Sequence, residues 1–123
     1  MKKYILTSLF TCYSLSVISQ NVVCLTVEPN PNPNNPALAW ATKYVNILDC
    51  FSIYAESTIA DNKVLHAAAV AAELLDNNED GTVDDPLIKS KLLIENALIP
   101  IFDHDGNTAM NTFETYYQGN GVS

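Results

Sequence analysis

Residues 76–87 read Asp-Asn-Asn-Glu-Asp-Gly-Thr-Val-Asp-Asp-Pro-Leu, and no other stretch restricts the backbone as tightly. Asp76, Asn78 and Asp80 offer side-chain oxygens at alternate positions. Gly81 follows at once, then the β-branched Val83 and a further carboxylate at Asp84. Oxygens spaced in this way meet at one point only if the chain curls sharply around it. Gly81 permits the curl because it has no Cβ. The pattern is that of a loop that holds calcium between two helices, an ion that takes roughly six to eight oxygen ligands at about 2.3–2.6 Å. The candidate ligands are the side chains of Asp76, Asn78 and Asp80, the backbone carbonyl of Thr82, and Asp84 directly or through a water. Val83 is expected to turn back into the core. The twelfth position, where a bidentate Glu closes such a loop, is Leu87, and Asp84 and Asp85 are the nearest replacements. An Asx-rich turn that binds no ion is the competing reading. Donors at alternate positions followed by Gly favour the ion.

The flanking segments read as helices. Residues 62–75 contain neither Gly nor Pro and carry a run of Ala, the strongest helix former, behind Asp61 as a cap. Val64, Ala68, Ala71 and Leu75 share one face, and so many small side chains imply close approach of another element. After the loop, Asp85 and Pro86 are a cap and a first-turn residue for a helix over 87–97. Its stripes are Leu87, Lys91, Ile94 and Leu98, with Ile88, Leu92 and Glu95 beside them. A short helix over 37–45, one or two strands within 44–55, a buried strand over 98–102 and a last helix over 108–118 complete the reading. The expected fold is mainly α with a few short strands (α+β), built on a helix–loop–helix.

The N-terminal part has a different character. Met1-Lys2-Lys3 precedes a largely apolar stretch to Val17, and Val17-Ile18-Ser19 fits a cleavage site, so residues 1–19 read as a secretory signal peptide. The stretch is too short and polar for a good membrane span. Residues 20–36 read as an extended arm and linker, because alternating Pro and Asn oppose helix and ladder alike. A domain over 37–118 follows, then 119–123 as a frayed tail or the cut end of a longer protein. Fourteen acidic residues face six basic ones, and Arg is absent. That balance disfavours nucleic acid, whose phosphates are held by Lys and Arg, and anionic membranes; it attracts cations. Loss of the leader would leave Cys24 and Cys50, a pair that could bridge in an oxidising compartment or remain free.

The run Leu65-His66-Ala67-Ala68-Ala69-Val70, followed by Leu74-Leu75-Asp76-Asn77-Asn78-Glu79-Asp80-Gly81, resembles the N-terminal region of longer secreted proteins. Those proteins carry an EF-hand-like calcium-binding loop after an Ala-rich helix. The likeness spans roughly 44–102, and only the acidic loop is specific. It implies calcium ligation by Asp76, Asn78, Asp80, Thr82 and Asp84, and no catalysis. Elsewhere the chemistry is thin. His66 is followed four residues on by Val70, so the zinc-protease helix motif fails, and a partly buried, hydrogen-bonded His66 is expected. Residues 103–107 are a second acidic turn, with Gly106 misplaced for an ion loop and a role in leading the last helix. Phe113, Tyr116 and Tyr117 read as core or interface aromatics. The functional expectation is a secreted calcium-binding module with a structural ion, as a monomer, a homodimer or with a protein partner. The alternatives are the accessory start of a longer secreted enzyme, possibly a hydrolase, and an adhesion module.

Overall fold

In the computed structural model, which describes residues 24–120, seven elements follow in chain order. They are β1 (Glu28–Pro29), β2 (Lys43–Ile47), β3 (Phe51–Ala55), α1 (Asp61–Leu75), α2 (Pro86–Ile94), β4 (Leu98–Ile101) and α3 (Thr108–Asn120). The signal-peptide segment lies outside the described residues, as do the last three positions of the tail.

The four strands form one mixed sheet in the order β1-β2-β3-β4. β1 pairs with β2 and β2 with β3, both antiparallel, while β4 lies parallel to β3. A parallel neighbour needs a long crossover, and α1, the acidic loop and α2 supply it. Proline fits ladders only at edges, and Pro29 and Pro100 sit in the two edge strands.

Side chains alternate across a strand, so the β2–β3 hairpin has two unlike faces. Val45, Ile47, Ile53 and Ala55 point one way and are fully buried, packed with Val64, Ala68 and Ala72 of α1. The Ala run therefore lets the helix backbone come close to the sheet. Tyr44, Asn46, Ser52 and Tyr54 occupy the other face. There Tyr54 packs with Leu38 and Ala41, and Phe113 of α3 stacks near Trp40, Phe102 and Tyr117 with ring centroids 4.1–5.9 Å apart. Lys43 at the head of β2 pairs with Asp61 at the start of α1, 2.7 Å away.

The mainly α, EF-hand-like helix–loop–helix architecture is overturned. The largest fully buried side chains are Ile47, Ile53 and Val45 on strands, with Val64 on α1, so the sheet is the centre of the fold. α1 packs on β2 and β3, and no comparable contact joins it to α2. α2 buries none of its residues; its striped apolar positions Leu87, Ile88 and Ile94 face outward. Two helices that do not pack on each other are not a paired-helix ion module, whatever loop connects them.

Other expectations shift locally. The helix expected over 37–45 is a series of turns running into β2 at Lys43, where β-branched and aromatic alternation overrides the cap signal. α1 is preceded by Ala60 with no side-chain cap, and Asp61 opens the helix instead. β4 is an edge strand and Ile99 is partly exposed. His66 is exposed, where partial burial was expected. In the Pro/Asn arm, Glu28 and Pro29 pair with the sheet. Asn30 donates from its amide to the carbonyls of Leu38 and Ala41 at 2.8 and 2.9 Å. Cys24 is exposed, Cys50 is buried, and neither is in a disulfide.

The turn at 103–107 leads α3, with Asn107 Oδ1 accepting from Met110 N at 2.8 Å. Glu56 holds this turn from across the sheet end. Its Oε2 accepts from Asp103 N at 2.6 Å and from the Asn107 amide at 2.7 Å.

Candidate metal site

α1 runs directly into the acidic loop. The Asp76 N–H still closes a helical turn on the Ala72 carbonyl at 2.9 Å, and the loop returns so that Asp84 N donates to the Leu75 carbonyl at 2.8 Å. Between these two bonds the chain winds around its own acidic side chains. Asp76, 4% exposed, accepts at Oδ1 from Asp80 N (3.1 Å) and at Oδ2 from Gly81 N (2.8 Å). Asn78 Oδ1 also accepts from Asp80 N, at 3.0 Å. Asp80 Oδ1 accepts from Thr82 N at 2.9 Å and from the Thr82 hydroxyl. A buried carboxylate is costly unless hydrogen-bonded, and these amides meet that need.

The curl has the backbone cost expected of it. Gly81 lies at φ 87°, open to glycine without penalty, and Glu79 at φ 58°, in a region side chains seldom enter. Val83 is buried. Beyond it, Asp85 accepts from Leu87 N at 2.8 Å and, with Pro86, starts α2. Asp85 thereby caps the helix through Oδ1.

Hydrogen bonding favours the ionised form of Asp80. The Thr82 hydroxyl, then the Thr82 amide, hold the Asp80 carboxyl below the usual carboxylate range. Its hydrogen bonds are fully present above the unfolded carboxylate value of about 3.9. They are lost as pH falls through the lower folded value.

Of the five sequence-predicted ligands, Asp76, Asn78, Asp80 and Thr82 are drawn into one hydrogen-bonded turn. Asp84 is not: its Oδ2 accepts from Asn77 N at 2.9 Å and from the Asn77 amide at 3.3 Å. Among the described residues no three His, Cys, Asp or Glu side chains gather as a metal-holding group. In donor chemistry the loop fits a hard cation, since it offers oxygen alone, and each carboxylate oxygen bonded to one amide keeps a second lone pair. Its deficit is charge, with two carboxylates in the curl and a third turned aside.

A different set of polar side chains escapes the loop motif altogether. Asn32, Asn46, Ser52, Tyr54 and Asn96 line a cavity on the sheet face opposite α1. The polar–aromatic half of the alternation in 43–47 and 51–55 was the available signal for the strand residues; for Asn96 there was none.

Comparison with protein-family models, with curated proteins and with solved structures returned no match.

Proposed function

We propose that the protein is an exported calcium-binding module whose ion is structural and is held by the loop at the C-terminal end of α1. Asp76, Asn78 and Asp80 would bind through side-chain oxygens and Thr82 through its carbonyl, with Asp84 joining directly or through a water. The observation that carries this reading is Asp76. A carboxylate at 4% exposure, already fixed by the amides of Asp80 and Gly81, is a preorganised anionic anchor at the mouth of the curl. When bound, calcium would supply positive charge to an acidic turn and fasten the loop to α1. With few carboxylates and Leu87 in the closing position, the affinity belongs to the extracellular class, with Kd on the order of 10⁻⁴ to 10⁻³ M.

Calorimetric titration of the protein and of its Asp80→Ala variant with calcium tests the assignment. Saturable heat in the first and its loss in the second support it. Indistinguishable titrations would place any binding elsewhere.

A further inference from the structure

The cavity on the polar face has a volume of about 510 Å³, within the range of roughly 300–1,000 Å³ typical of small-molecule sites. Its floor is the Tyr44, Asn46, Ser52 and Tyr54 half of the hairpin, and its walls come from the Asn32–Asn35 turn, the α2–β4 connection at Asn96, and Tyr117 of α3. Separate parts of the chain thus converge on one concave surface.

The floor is fixed. Tyr54 is 5% exposed, and its hydroxyl accepts from the Asn32 amide at 2.9 Å. Ser52 Oγ donates to the Tyr44 hydroxyl at 3.1 Å, and the Tyr44 and Tyr54 rings meet edge to face at 5.2 Å. The rim includes left-handed backbone at Asp49 (φ 53°) and Asn96 (φ 49°), with Leu48 (φ 48°) beside Asp49. Asp and Asn tolerate that region, whereas Leu does so at a cost. Leu48 is kept there by packing against the α1-side core, and the bend turns Asp49 and Cys50 toward the cavity.

The lining chemistry selects the ligand class. No Lys or Arg lines the cavity, so a phosphate or carboxylate would enter without a countercharge. Asp49 is the charged residue of the lining, with its carboxylate accepting from the Asn46 amide at 2.7 Å, and one carboxylate supplies little charge to hold a cation that takes roughly six to eight oxygen ligands. What remains are amides, hydroxyls and tyrosine rings beside an apolar part of the wall made by Leu38, Phe51, Leu92, Leu93 and Leu98. An amide both donates and accepts, matching the dual character of each sugar hydroxyl. A tyrosine ring offers an apolar face to the C–H side of a pyranose and a polar tip to its rim. The Asn32 and Asn46 amides each make one side-chain bond here, and an apolar ligand would cover their remaining donor and acceptor capacity without partners.

We infer that this cavity is a binding site for a neutral polyhydroxylated ligand, a short saccharide, with Asn96 and Tyr117 as wall contacts above the fixed tyrosine floor. It is independent of the acidic loop, which follows the helix on the opposite face of the sheet.

Saturation-transfer NMR on the intact protein, with maltose, cellobiose and N,N′-diacetylchitobiose as probes and glucose 6-phosphate as the charged control, tests the inference. Transfer to at least one disaccharide and none to the control is expected. Asn96→Gly, which suits the left-handed backbone, and Tyr117→Phe, which keeps the ring, should each weaken binding by about three- to tenfold. Asp80→Ala should leave sugar binding unchanged, so this inference and the calcium assignment fail separately. Absence of transfer to all three disaccharides, preference for the charged control, or unchanged binding in both wall variants would overturn it.

Discussion

α1 and α2 flank the same loop, and both have sequences striped with apolar residues, yet they have opposite relations to the core. α1 presents Val64, Ala68 and Ala72 to the sheet and buries all three. No residue of α2 is buried, and Leu87 at its start is 77% exposed. The difference is one of surface shape. A row of small side chains lets α1 lie close to the Val45–Ile47 and Ile53–Ala55 ladder, and each side chain it buries touches several others. α2 follows the loop away from that surface and begins because of Asp85 and Pro86 at its end. Helix formation is a local property of caps and propensity, whereas docking depends on a complementary partner. Periodicity reports only that a helix could dock.

This contrast can be broken most forcefully by placing one charge on each helix. Val64→Asp puts an unpaired carboxylate into the fully buried seam and should cost about 4 kcal/mol or more, read from denaturant unfolding. A loss below about 1 kcal/mol would mean that α1 is not seated on the sheet. Next comes the joint between the helices. Asp76→Ala leaves the amides of Asp80 and Gly81 without their carboxylate, and should cost about 1–3 kcal/mol in chelator. A neutral result would show that the curl does not depend on its first residue. Asp85→Ala removes the α2 cap, worth about 0.5–2 kcal/mol. Because α2 is undocked, the loss should appear as faster amide exchange at 87–94 with little change in global unfolding. A matching global loss would place α2 in the cooperative core. Leu87→Asp, the mirror of the first substitution, should stay within about 0.5 kcal/mol; a larger loss would give α2 a packing role after all.

The same physics explains what could be read from the residues. The position of α1 within one residue, the α2 start at Asp85 and Pro86, and the last helix from Thr108 follow from local signals, because capping and propensity act within a turn. The two faces of the hairpin were present in Lys-Tyr-Val-Asn-Ile and Phe-Ser-Ile-Tyr-Ala, but five-residue strands are short enough to be mistaken for minor trim around a helical core. What pairs with what is long-range: Asn32 reaching Tyr54, or Glu56 holding Asp103 and Asn107, leaves no mark at fixed spacing. The acidic motif correctly marked the curl at Asp76, Asn78, Asp80 and Gly81. It carried with it a packed pair of helices that this chain does not form. It also could not show that Asp84 would turn toward Asn77, a choice set by where the chain closes on the Leu75 carbonyl.

The calcium assignment is most directly tested by thermal unfolding of the protein in excess calcium against chelator at equal ionic strength. At roughly ten- to a hundredfold excess of calcium over Kd, a ligand bound only by the folded state adds about 1.4–2.7 kcal/mol. For a domain of this size that raises Tm by roughly 5–15 °C, and the rise should disappear in Asp80→Ala. Superimposable melts of the unaltered protein in calcium and in chelator would contradict it.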